Sequence, residues 1–314
     1  MEVRAKPLIK GVLSFAVPSL RSSHHPSVRG SGDARYCYSA FLRHFSHVAT
    51  ATGGAVPKVV VELGPGNSIG TGLAGVIAGA ERCIGLDLQN HMQAELNLRI
   101  FDELVDLFRA KTPVPREIDI ATAPADWEFP RVLEPGLDAA LDAGRLAAIR
   151  RDIEALSGAH VDVVAPWSDR TVLGAASVDL LFSHSVMEHI DDVAAVYASA
   201  AAWLKPGGLM SHEIDYSSHR LTGHWNGHWT IDDTLWRLIR GARPYLINRF
   251  SHQDQLKAMR AHGHELIHDV LTQRSDGLGT DRFNGAFASM SEADARTHIG
   301  FVLCRNVGSA PRPT

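Results

Sequence analysis

Two short stretches concentrate side chains able to move protons. "SHSVMEH" carries Ser183, His184, Glu188 and His189, and "SHEIDYSSH" carries His212, Glu213, Asp215 and His219. Imidazoles and carboxylates are the groups that most readily take a proton near neutral pH. Each stretch follows an apolar run, so each lies at the end of an expected strand. Strand alternation puts His212 and Ile214 on one face and Glu213 and Asp215 on the other, so they cannot all serve one pocket. His212 is the first candidate for a general base, with His184 and Asp215 behind it. A histidine merely hydrogen-bonded at a strand end is the competing reading for each. Just beyond, "SSHRLTGHWNGHW" brings His219, His224 and His228 together with Trp225 and Trp229. Histidines four apart suit a metal on a helix face, but Gly223 and Gly227 mark a loop, and no cysteine or further carboxylate falls in register. No metal ligand is assigned. His219, Trp225, His228 and Trp229 read instead as a flat wall for a substrate.

The elements that must position these groups alternate. "KVVVEL", a glycine turn, "GTGLAGVIAGA" and "RCIGLDL" form a strand-helix-strand unit from Lys58, which implies a right-handed crossover and a parallel sheet. About seventy residues then precede the next strand, "AHVDVVA", more than a minimal crossover needs. They hold two helical patterns joined by a Pro-rich segment from Thr112 to Pro135. "SVDLLFSHS", "DDVAAVYASAAAWL" and "LMSHEIDY" continue the alternation, and "HELIHDVLT" and "HIGFVLCRN" supply the last strands. Before the sheet, "ARYCYSAFLRHFSHV" (34–48) predicts a helix with Asp33 as its cap.

The turn "VELGPGNSIG" follows the first strand. A dinucleotide fingerprint would need glycine at Ile69, and a phosphate-cradling loop would need Gly-Lys-Ser/Thr, which is absent. What stands there is Glu62-x-Gly64-x-Gly66, with Asp87 ending the second strand. Together with "SVDLLFSHSVMEHI" and "WLKPGGLM", this resembles the cofactor signature of class I S-adenosylmethionine-dependent methyltransferases, from about Lys58 to Asp215. The resemblance implies a Rossmann-like sheet of seven strands, the last antiparallel, with an N-terminal helical cap and helical insertions. It also implies S-adenosylmethionine as cofactor, held by Glu62, Gly64, Gly66, Asp87, Leu88 and Ser183. Glycines there let the backbone approach the cofactor, and an acid ending the second strand can accept from both ribose hydroxyls. Members often carry an acid after the third strand for the adenine amino group; here Ala165, Pro166 and Trp167 stand at that point. Trp167 by stacking, a backbone carbonyl or Asp169 would substitute, and Trp167 as a core residue is the other reading. More narrowly, "WNGHW", "LINRFS" and "ARYCYSAFLRHF" resemble bacterial methyltransferases found near surface-polysaccharide genes.

The domain organisation expected is a cap or lid over 1–54, a methyltransferase domain over 55–306 with insertions at 91–158 and 216–250, and a flexible tail at 307–314. Arg35 in the cap would pair with the cofactor carboxylate; a plain packing helix is the alternative. The enclosing insertions favour a small molecule or glycan acceptor, methylated on oxygen. A nicotinamide-dependent oxidoreductase and a catalytically silent cofactor-binding fold are the alternatives.

Bulk composition agrees. The 314 residues are 45% hydrophobic with a net charge of -4 from 31 basic and 35 acidic residues. That balance, without charged runs, gives no reason to expect nucleic acid. Three scattered cysteines suggest no disulfide framework, and no apolar run reaches the ~18–20 residues of a membrane span. A cytoplasmic enzyme is expected.

Overall fold

The computed structural model describes residues 3–21, 30–116, 120–155, 157–167 and 170–308. Asp169 and most of the expected tail lie outside them.

In chain order the elements are α1 (Ala5–Ser14), α2 (Ala34–Thr52), β1 (Val59–Leu63), α3 (Gly70–Ile77), β2 (Arg82–Leu86), α4 (Ala94–Arg109), α5 (Glu134–Ala140), α6 (Ala143–Ala155) and β3 (Val161–Val164). They continue with β4 (Val178–His184), α7 (Val193–Trp203), β5 (Leu204–Asp215), α8 (Asp233–Arg240), α9 (His252–Ala261), β6 (His264–Gln273) and β7 (Thr297–Asn306). One seven-stranded sheet runs β3-β2-β1-β4-β5-β7-β6. The first five strands are mutually parallel, and β7 is antiparallel to both β5 and β6. This is the Rossmann-like methyltransferase fold, and its order reverses between β1 and β4, the crevice where open α/β sheets bind ligands.

The strands form where β-branched runs can be buried on both faces. On one face Val61, Leu63, Leu181, Met210 and Val302 pack against Tyr197 and Trp203 of α7 and Leu256 and Met259 of α9. On the other, Val60, Leu180, Phe182, Phe301 and Leu303 meet Val48 of α2, while α2, α3, α4 and α6 share a second cluster. Asp33 caps α2 by accepting from the N–H groups of Arg35 at 2.8 Å and Tyr36 at 3.1 Å. The helix buries Cys37, Tyr38, Phe41, Leu42, Phe45 and Val48, each large apolar side chain stabilising by about 1.5–3 kcal/mol. Burial on that scale packs α2 as a layer against the sheet. α1, in contrast, docks far along the chain: the N–H of Ala242 donates to Ser14 Oγ at 2.9 Å, and Arg4 N–H donates to the Leu221 carbonyl at 3.0 Å.

Both expected insertions reach the ends of β4 and β5. The segment after α4 is tied across α2 by Tyr38 Oη and Ser39 Oγ, which donate to the carbonyls of Thr112 and Pro115 at 2.6 and 3.0 Å. The segment after β5 is clamped by Asn248, whose Nδ2 donates to the carbonyls of Met187 and Ile190 at 2.8 and 2.7 Å. No helix among the described residues is long and apolar enough to cross a membrane.

Candidate functional site

The glycine turn leaves β1 with Gly64 at φ +63° and Gly66 at φ +71°, the left-handed region that an L side chain enters only with strain. A Cβ on Gly64 would lie 2.7 Å from Val186 Cγ2, so the turn is also too tight for one. Ser31, from the segment leading into α2, sits on this turn: its hydroxyl accepts from Asn67 N–H at 3.0 Å, and its carbonyl accepts from Ser68 Oγ. Asp87 follows β2, and its carboxylate bonds its own turn, accepting from Leu88 N–H at 2.6 Å and Gln89 N–H at 3.4 Å. Leu88 beside it is 47% exposed. The bare glycine backbone and an acid ending the next strand fit a ribosyl cofactor with an amino-acid moiety.

Glu62 lies beneath the turn and accepts from the Gly72 N–H at 2.9 Å, tying β1 to α3. Burial pushes its carboxyl up to about 8, against the lowering effect of hydrogen bonds from Gly72 and Thr71. The folded state therefore holds this proton where the unfolded state has lost it, and stability falls as pH rises from the ordinary glutamate range through about 8. Glu62→Gln, which cannot ionise, is expected to flatten that decline. Thermal melts of both proteins between pH 5 and 9 check it, and parallel curves would remove Glu62 as the cause.

The parallel pairing of β4 with β5 sets Ser183 beside His212 and His184 beside Glu213. His212 and Ser183 face α7: both are fully buried, with Ser183 Oγ and His212 Nδ1 2.7 Å apart. Burial pushes the His212 imidazole down to about 3. A base there has no route to an acceptor, so the geometry moves that role off His212, and Ser183 is buried beside it. Trp229 is likewise core, fully buried against Phe283 with its Nε1 donating to the Arg249 carbonyl at 3.1 Å. Trp167 is half-buried edge-on to Trp203, ring centroids 5.7 Å apart.

The opposite face carries a buried polar network. Ser211 Oγ lies 2.7 Å from His44 Nδ1, His44 Nε2 lies 3.2 Å from His184 Nδ1, and His184 Nε2 lies 3.2 Å from Glu213 Oε1. One tautomer set satisfies the whole chain: Ser211 donates to His44, His44 to His184, and His184 to Glu213. Glu213 Oε2 also accepts from the N–H groups of Ala121 and Thr122 at 3.1 and 2.8 Å and from Thr122 Oγ1 at 2.5 Å. The Arg43 guanidinium, wholly buried, stands 3.7 Å from the same oxygen and donates to Thr122 Oγ1. Burial, then its histidine neighbour, holds His44 well below the ordinary range; burial, then Arg43, does the same for His184. Both are neutral at pH 7. Arg43, His44 and Thr122 were not singled out in the sequence. A signal existed: His44 falls on the stripe Cys37, Phe41, His44, Val48, a polar residue on an otherwise apolar helix face.

Above the network, Asp215 Oδ2 lies 3.0 Å from His219 Nε2. Burial would raise the Asp215 carboxyl, but the His219 contact and the Ser217 N–H bring it down to about 2. His219 is one-third exposed at its side chain. Glu188 and His189 stand beside it, the His189 and His219 ring centroids 5.1 Å apart. Burial and then Asp215 push the Glu188 carboxyl well up. His228 is buried in the field of His219 and Asp215, whereas Trp225 stands edge-on to His298 at 5.2 Å. Arg35 is exposed on the first turn of α2. The structure thus brings together His184, Asp215, His219 and His228 at the ends of β4 and β5, and leaves His212, Ser183 and Trp229 in the core.

Sheet order, glycine turn and strand-end acid together define a class I Rossmann-like cofactor domain. Residues 142–211 match the family model for a methyltransferase domain, a span that holds β3, β4 and most of β5. The chain carries an S-adenosylmethionine-dependent methyltransferase domain, and its cofactor is S-adenosylmethionine. No curated protein matches the sequence. Similar solved structures include a putative sarcosine dimethylglycine methyltransferase from Galdieria sulphuraria, at 13% identity, TM-score 0.44 and 85% coverage of each chain. Another is the geranyl diphosphate C-methyltransferase of Streptomyces coelicolor, at 13% identity and TM-score 0.43, covering 80% of this chain and 71% of that one. A methyltransferase from Methanosarcina mazei follows at 10% identity and TM-score 0.43, covering 81% and 95%. Likeness at this level carries no argument about acceptor or mechanism.

Proposed function

We propose that the protein methylates a hydroxyl of a small molecule or glycan that enters over the ends of β4 and β5. The observation that carries this reading is the convergence of both insertions there: Ala121 and Thr122 bind Glu213 from one side, and the chain after β5 lays His219 over Asp215 from the other. A site closed by two segments suits a small acceptor better than a macromolecular surface. The glycan class follows from the resemblance of "WNGHW", "LINRFS" and "ARYCYSAFLRHF" to methyltransferases near surface-polysaccharide genes.

Gly64, Gly66, Asp87 and Leu88 form the cofactor side of the site, with Glu62 holding the turn in place. The cofactor, when bound, supplies an electrophilic methyl on a sulfonium, so transfer forms an O–C bond, breaks an S–C bond and leaves a thioether. The protein must align acceptor and donor, and orientation of this kind is worth up to roughly 7–11 kcal/mol in well-placed intramolecular reactions. The acceptor's proton leaves to solvent past the Asp215–His219 pair, which is polar and part-exposed at the strand ends. His184, tied on both ring nitrogens, positions Glu213 and the roof of the site. His219 lines the entrance with the buried His228 behind it, and Arg35 is free to approach the cofactor carboxylate.

The test is label transfer from methyl-labelled S-adenosylmethionine into bacterial extract separated into small metabolites, nucleotide sugars, lipid-linked glycans, protein and nucleic acid. Label in a small-molecule or glycan fraction as a base-stable methyl ether is the expected result. Label in protein or RNA would overturn the acceptor class, and no label in any fraction would favour a silent fold.

A further inference from the structure

We infer that Glu188, His189 and His219 bind a divalent transition-metal ion beside the acceptor site. Each offers one ligand atom, and the three atoms all lie within 4.8 Å of one another. The sequence shows histidines in this region but no carboxylate in register with them, because Glu188 comes from the turn after β4, thirty-one residues before His219. Only the parallel β4–β5 pairing unites them.

Two further observations point to a ligand. Glu188 is 3% exposed, and neither of its carboxylate oxygens closes a hydrogen bond of good geometry, the backbone N–H groups of Glu188 and Asp215 being the donors that act on it. A buried carboxylate left in that state is costly, and in native structures such a group is paired, hydrogen-bonded or on a metal. His189 presents a buried Nδ1 that also lacks a partner. The third ligand is braced: the Asp215 carboxylate holds one nitrogen of His219 at 3.0 Å, the carboxylate–histidine arrangement that orients a metal-binding imidazole. The turn that carries Glu188 and His189 is braced too, since Asn248 donates to the Met187 and Ile190 carbonyls on either side and its own N–H donates to the Glu188 carbonyl at 2.5 Å. Ligand atoms sharing an ion at 2.0–2.2 Å stand about 3–3.5 Å apart. Closing the set asks for a shift of roughly an ångström, which the part-exposed His219 can make.

Two imidazoles and one carboxylate select a transition metal such as Zn2+ or Mn2+ over Ca2+, which prefers an all-oxygen shell. Three protein ligands leave open positions for an acceptor oxygen. Resting on the hydroxyl-methylation reading above, the ion would lower the acceptor's pKa so that its proton leaves to solvent and the oxygen attacks as an alkoxide. Two open positions favour an acceptor with adjacent oxygens, a vicinal diol or a hydroxyl next to a carbonyl.

The experiment is calorimetric titration of the chelator-stripped full chain with Mn2+ and with Zn2+, alongside Glu188→Gln and His219→Ala, with thermal melts of each protein with and without metal. One equivalent bound by the wild type, a metal-dependent rise in melting temperature, and binding at least tenfold weaker in both variants are expected. S-adenosylmethionine affinity should be unchanged in both, which separates a lost metal site from a misfolded one. No saturable binding, or binding equal in wild type and variants, overturns the site. Because these readouts need no acceptor, they stand apart from the label-transfer experiment, whose failure would remove the hydroxyl reading alone.

Discussion

Glu213→Ala is expected to lower the stability of the fold by about 3–5 kcal/mol, the cost of breaking a buried, hydrogen-bonded ion pair by removing one partner. Arg43 has no exposure and stands 3.7 Å from Glu213. Without the carboxylate its charge stays buried, while the N–H groups of Ala121 and Thr122 lose the acceptor they share. His184 loses the partner of its Nε2 as well. For a chain of this length, unfolding entropy makes that loss on the order of 5–8 °C in melting temperature. Differential scanning calorimetry measures it directly. The same substitution should loosen the Pro-rich segment between α4 and α5, seen as earlier proteolytic cleavage near residue 121, since Glu213 holds Ala121 and Thr122 to β5 and its loss leaves the bond from Thr272 Oγ1 of β6 to the Ile120 carbonyl to hold that stretch. A melting temperature within a degree of wild type would show that the network does not hold the two together.

The second large effect falls on cofactor affinity. Asp87→Ala should weaken S-adenosylmethionine binding about 10- to 150-fold, the equivalent of about 1.5–3 kcal/mol for hydrogen bonds to a charged group. In the free protein the Asp87 carboxylate accepts from the N–H groups of Leu88 and Gln89 in its own exposed turn, and the bond from Trp167 N–H to the Asp87 carbonyl survives the substitution, so the melting temperature should move little. That combination, affinity lost and fold kept, is what a ligand-binding role predicts and a structural role does not. Calorimetry with S-adenosylmethionine or its demethylated product measures the affinity. An unchanged dissociation constant would take Asp87 out of the cofactor site.

The sequence alone determined what short-range physics controls. β-branched runs gave the strands because such side chains suit a pleat buried on both faces, and Asp33 marked the start of α2 because a carboxylate one residue ahead of a helix satisfies its free N–H groups. Gly64 and Gly66 marked a tight turn after β1 because only glycine takes that backbone without strain. The alternation along β5 was also legible: His212 on one face, Glu213 and Asp215 on the other.

Tertiary structure decided which face mattered. The side chains of β5 look the same from sequence whichever helix covers them, and only the packing of α7 over His212 and of α2 over Glu213 put one in the core and the other in a buried polar network. His44 and His184 are 140 residues apart in the chain, and Glu188 meets His219 only through the pairing of β4 with β5. Contacts of that range leave no periodic trace in sequence, because each partner satisfies its local pattern equally well without the other; their energy exists only once the chain has closed.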